Sequence, residues 1–174
     1  ANVAYVYSMP GAEATQLILG YMIGAGKLKE VCPRVWSTIR IALAASELLT
    51  LVILIFCDPI YSIFTADPVI HQLGRQILYV EFALEIGRSI NIVMVRGLTT
   101  AGDVWYPVTV GIFSMWLVSV GGSWLLGDVL GWGLAGIWIA MACDECLRGL
   151  LFTIRFQRGK WKEKRLVSGL PKQD

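Results

Sequence analysis

The sequence predicts an all-α integral membrane protein with about five transmembrane helices, and three observations predict it. Of its 174 residues, 56% are hydrophobic and only 16% charged, and the mean hydropathy is +0.62. Soluble domains carry roughly 25% charged residues, so this composition belongs in lipid. The apolar residues gather into five runs, each long enough to cross roughly 30 Å of hydrocarbon. The basic residues cluster at one set of ends of those runs.

The runs follow in order. The first covers residues 1–25 and contains Pro10-Gly11, where a kink or break is expected, and its Gly20 and Gly24 have the spacing that lets helices approach closely. The second covers 35–57, after a loop KLKEVCPR, and Asp58-Pro59 stops it. IYSIFTADPVIHQ then reads as a short amphipathic or re-entrant connection. The third run covers 76–98, the fourth 104–126 and the fifth 132–154, so the bundle occupies 1–156 and a basic tail 157–174. Trp105, Tyr106, Trp132 and Trp161 flank runs where amphipathic rings favour the headgroup level, and for each of them ordinary packing is the alternative.

Eleven of the fifteen cationic residues lie on one side. They are Lys27, Lys29, Arg34 and Arg96 together with the seven of the C-terminal stretch from Arg155 onwards. The positive-inside rule makes that side cytoplasmic and places Ala1 outside. The chain opens without a basic leader or an initiator Met, so an outer N-terminus implies further spans upstream.

Charges inside the runs are the candidate site. Glu81, Glu85 and Arg88 fall on one stripe of the third run at helical spacing, with Asn91 one turn on. A charge at membrane depth costs on the order of 2.5–3.5 kcal/mol on insertion scales, so such groups face a partner or a wet cavity. The stripe reads either as a brace between helices or as a site for a cation or a coupling proton. The fifth run adds Asp144, Glu145 and Arg148, with Asp144 four residues before Arg148 as a pairing spacing requires. These three form a structural ion pair or an ion relay. Glu13 and Glu47 are isolated acids, and Glu47 either pairs across helices or stays protonated.

Other chemistry has little support. Cys143 and Cys146 have the CxxC spacing of redox and metal sites, but they lie in an apolar helical run without a second pair. Helical packing is the expectation for them, and no metal or other cofactor is expected. The single histidine, His71, reads as a surface residue near a loop. No Ser-His or metal-ligand constellation suggests an enzyme. The basic tail sits beside a membrane, where anionic lipid attracts it, so a nucleic-acid partner is not expected.

The ordered stretches PGAEATQLILGYMIGAGKLKE, DPIYSIFTADPVI, EIGRSINIVMVRGLTTAGD and GIWIAMACDECLRGLLFTIRFQRGKW together resemble the multidrug and toxic compound extrusion (MATE) transporters. The resemblance covers nearly the whole chain. It implies twelve spans in two six-helix lobes, of which these five form most of the C-terminal lobe. It also implies a multi-pass protein of the cell membrane that exports drugs or organic cations in exchange for protons or sodium ions. The implied partners are the bilayer, the upstream helices and a small organic substrate. Glu81 and Glu85 fit the acidic role, whereas several family members place an acid where this chain has Arg88. A cation there opens the alternative of a flippase for lipid-linked substrates, whose phosphate an arginine would suit. A membrane-embedded redox or metal enzyme is a more distant alternative.

Overall fold

The computed structural model describes residues 2–64, 67–159 and 161. Among them the chain forms five long helices and one short one: α1 (Asn2–Gly24), α2 (Leu28–Ile55), α3 (Cys57–Phe64), α4 (Pro68–Thr100), α5 (Trp105–Val129) and α6 (Gly133–Gln157). α4 is the centre. It packs against α1, α2 and α6, and α6 in turn carries α5. The short turns between α1 and α2 and between α4 and α5 reverse the chain at Gly26 (φ +76°) and Gly102 (φ +88°), left-handed positions that favour glycine.

Several boundaries differ from the expectation. The helix of α1 runs through Pro10-Gly11 without a break. The predicted loop KLKEVCPR is instead the start of α2, which begins at Leu28 rather than at 35. Pro33 lies only in the second turn, so it removes a single backbone bond and the helix continues. α4 starts at Pro68, two turns before the expected 76. There the Asp67 side chain accepts from the Val69 N–H at 2.9 Å and proline occupies the first helical position. The expected re-entrant connection is therefore α3 followed by the head of α4, with Thr65 and Ala66 outside the described residues.

α5 is α-helical over Trp105–Ser114 and π-helical over Met115–Val120 and Trp124–Val129, with Gly121–Ser123 α-helical between them. Nothing in the hydropathy pattern anticipates this. The side chains of α5 are largely open: Trp105 is 79% exposed, Leu117 71% and Trp124 64%. An apolar helix with so little protein around it is suited to lipid. α2 and α5 are both long and apolar enough to cross a membrane by length and composition. α4 and α6 interrupt their apolar runs with charges that the bundle covers.

The apolar core lies where α1, α2, α4 and α6 meet near the Gly26 and Gly102 turns. Leu19, Ile39, Met94, Leu98, Phe152 and Phe156 are its largest helical members. Trp161 takes the packing role of the two open to it. It is 1% exposed, stacks on Phe156 at 5.1 Å between ring centroids, and its Nε1–H donates to the Phe156 carbonyl at 2.9 Å. It is a core residue rather than a headgroup anchor, because a turn after α6 folds it back over the helix end. Lys160 and the rest of the basic tail, 162–174, lie outside the described residues.

Candidate functional site

Helical spacing puts Glu81, Glu85 and Arg88 on one stripe of α4, and packing then buries that stripe. They are 4%, 0% and 9% exposed. Arg88 Nη1 donates to Glu85 Oε1 at 2.5 Å and to Glu81 Oε1 at 3.3 Å. The second Glu85 oxygen accepts from the Ser46 hydroxyl of α2 at 2.6 Å. Glu85 is thus held at both oxygens, and Glu81 holds Arg88 less closely. Removing one member of such a buried pair typically costs about 3–5 kcal/mol, because the partner charge is stranded.

Glu47 follows Ser46 on α2. Both its carboxyl oxygens are shut off from solvent and have no hydrogen-bond partner among the described residues. Of the two readings of Glu47, a hydrogen-bonded pairing across helices is not made among the described residues, and a lone carboxylate there would be costly. Two carboxyls, Glu81 and Glu85, share the one guanidinium of Arg88. The trio of Glu81, Glu85 and Arg88 already carries an excess negative charge when ionised, so the cation at Arg88 does not make the region basic.

Asn91 parts from the stripe. Its Nδ2 donates to Glu145 Oε2 of α6 at 2.6 Å, which joins it to the second acidic group instead. Within that group Arg148 pairs with Asp144 as the four-residue spacing suggests, through both Nε and Nη2, and reaches Glu145 Oε1 only at 3.5 Å. The Ser114 hydroxyl of α5 also donates to Asp144. Three helices are bolted here by polar groups. α4 and α6 can meet so closely because Gly87 faces the backbone of Cys146, where an added Cβ would stand 2.7 Å from the Cys146 nitrogen. Cys146 lies against Gly87 at this crossing, but it and Cys143 are both exposed, so neither is a buried packing residue. Glu13 is exposed on α1.

A third ion pair escaped the sequence reading. Asp103, fully buried after the Gly102 turn, accepts from Arg155 Nε of α6 at 2.8 Å, and the Arg155 guanidinium lies 4.7 Å over the Tyr106 ring. The only sequence signal was the adjacent Gly102-Asp103 turn. Ser46 and Ser114 were missed as well, since a serine in an apolar run has no pattern of its own.

At the opposite ends of the helices, α3 is clasped to α4. Arg75 Nη2 donates to both Asp58 oxygens, at 2.6 and 2.5 Å. These bonds hold the Asp58 carboxyl below its usual range and raise Arg75. The Tyr61 ring rests against Gly74 and meets His71 edge-on at 5.8 Å between centroids. Burial pushes the Tyr61 phenol up. His71 is half-buried in the first turns of α4 rather than beside a loop, because α4 starts early. With Asp58, Pro68, Gln72 and Arg75 it lines an open cleft of about 430 Å³.

The sequence model of the MatE family matches residues 1–125. The chain belongs to the MatE family. Its all-helical membrane fold follows, as the resemblance in the sequence implied. Among curated relatives, a protein named "Uncharacterized transporter YisQ" from Bacillus subtilis (strain 168) is 31% identical over 153 residues, which are 88% of this chain and 34% of that protein. Two proteins named "Probable multidrug resistance protein NorM" are each 25% identical. The one from Xanthomonas axonopodis pv. citri (strain 306) matches over 158 residues, 91% of this chain and 34% of its own length. The one from Thermotoga maritima matches over 169 residues, 95% of this chain and 36% of its own length. This MatE chain therefore spans about a third of the length of these relatives.

Proposed function

We propose that this MatE chain is the C-terminal lobe portion of an efflux antiporter in the cell membrane, exchanging protons or sodium ions for a small organic compound. Its C-terminus is then cytoplasmic, and its partners are the bilayer and the helices supplied upstream. The observation that carries this reading is the surplus of buried carboxyls around Arg88. Exchange needs an acidic group that either the coupling ion or the substrate neutralises, but not both at once. Glu85 is occupied by Arg88 and Ser46, so it holds the guanidinium in place. Glu81, at the longer distance, and Glu47, with no hydrogen-bond partner among the described residues, are the groups left to exchange. The multidrug names of the NorM relatives support an organic substrate.

The test uses the full-length protein in liposomes, with ethidium as the probe and an imposed pH or sodium gradient. Glu81→Gln keeps shape and hydrogen bonding while removing the charge, so this variant should fold and lose gradient-driven export. Glu85→Gln alone should express poorly, because Arg88 loses its nearest counter-charge. Glu85→Gln with Arg88→Gln should restore expression. Normal gradient-driven export from Glu81→Gln and from Glu81→Gln with Glu47→Gln would sink the assignment.

A further inference from the structure

We propose that Glu145 on α6 is a second proton-exchanging carboxyl of this lobe, with Asn91 on α4 as the partner that accommodates both of its protonation states. Two observations lead there. The first is an imbalance within the α6 group. Arg148 is committed to Asp144 through two nitrogens, Ser114 adds a third bond to Asp144, and Glu145 receives Arg148 only at 3.5 Å. Two acids share one cation, and Glu145 carries the less compensated charge. Its side chain is 20% exposed, whereas that of Asp144 is 2% exposed.

The second observation is on α4. Asn91 is 7% exposed and bonds Glu145 through Nδ2, yet among the described residues its buried Oδ1 has no donor. A buried acceptor left empty is costly, so its presence beside a carboxyl calls for a donor. A carboxamide has both kinds of atom: the NH2 suits an ionised carboxylate, and the oxygen suits a protonated one. When a proton arrives from water at Glu145, the acid O–H is the donor that Oδ1 lacks. Half a turn of the amide then exchanges one bond for the other. When the proton leaves, the amide turns back.

The helices packed around Glu145 each bring their own charges. α6 contributes Asp144 and Arg148, with the Cys143 and Cys146 thiols nearby in sequence. α4 contributes Glu81 and Glu85, each paired with Arg88. α5 offers the uncharged Ser114, and its lone charged residue, Asp128, lies at the far end. The station rests on the antiport reading for its purpose, since a second proton site in the same lobe would let ion and substrate movements be coupled through α4 and α6.

Infrared difference spectroscopy of the full-length protein in liposomes, recorded between acid and neutral pH, reads protonation without requiring transport. The expected result is a protonated-carboxyl band that disappears in Glu145→Gln. It should move to higher frequency in Asn91→Leu, which offers no acceptor, and stay near its place in Asn91→Gln. Glu145→Asp keeps a carboxyl and should shift the band rather than remove it, which separates loss of the group from loss of the fold. A carboxyl spectrum unchanged in Glu145→Gln overturns the proposal, and a band unmoved in Asn91→Leu overturns the role of Asn91. Ethidium export is measured on the same proteins. A Glu145 band in a protein whose export ignores both gradients supports the station and counts against the antiport reading. Gradient-driven export with an unchanged spectrum in Glu145→Gln overturns the station alone.

Discussion

At the residue scale, the charged groups of this chain are sorted by how many partners each cation has. Arg88 and Arg148 each stand between two acids, and in each case one acid is held closely and the other loosely. Arg75 differs, pairing with one acid among the described residues, the exposed Asp58. The Arg75 hydrogen bonds favour the ionised Asp58, so its folded-state pKa lies below the unfolded one. The clasp is then fully formed above the unfolded value and is lost as pH falls through the lower, folded one. Protection of α3 from protease should consequently be flat across neutral pH and fall only in strong acid. Asp58→Asn should weaken protection at neutral pH and match the parent in acid. Equal protection of parent and Asp58→Asn at neutral pH would show that Tyr61 against Gly74 holds α3 alone.

At the scale of elements, the contact between α4 and α6 depends on missing side chains. Gly87 meets the Cys146 backbone, and Gly149 lies where an added Cβ would be 3.1 Å from the Gly87 carbonyl oxygen. Backbone cannot move aside as a flexible side chain can, so Gly87→Ala should overpack the crossing by about 1–3 kcal/mol. The measurement is thermal stability of the full-length protein in detergent, with a lowered Tm expected. Gly111→Ala is the control, since nothing lies within 4 Å of its added Cβ. An unchanged Tm for Gly87→Ala would mean that the helices do not cross so closely. Asn91 and Glu145 sit just beyond this crossing, so loosening it should also lengthen the bond between them.

For the whole molecule, the distribution of basic residues makes a topological prediction. Lys27, Lys29, Arg34 and Arg96 gather near the Gly26 and Gly102 turns, at the same end as Arg155 and Arg158. The clasp of Asp58 and Arg75 is at the other end. Single cysteines in a cysteine-free full-length protein should react with an impermeant maleimide from outside at Asp67 and Asp128, and not at Lys29. Outside labelling at Lys29 would reverse the orientation drawn from the positive-inside rule.

The sequence by itself determined what depends on composition and on neighbours a turn apart. The apolar runs, the one-sided basic residues, the stripe of Glu81, Glu85 and Arg88 and the pairing of Asp144 with Arg148 all follow from local spacing along a helix. The family was legible for the same reason, because its marks are short ordered stretches. Tertiary structure decided which face meets which neighbour. Ser46 reaches Glu85, Asn91 leaves its stripe for Glu145, Ser114 joins Asp144, and Asp103 pairs with Arg155. Each of these bonds joins residues 30 or more positions apart. They depend on the rotation and depth of whole helices, which glycines such as Gly87 and Gly149 set by allowing backbones to touch. Trp161 shows the same division. Its amphipathic ring suits a headgroup as well as a core, and only the turn that lays it on Phe156 chooses between them.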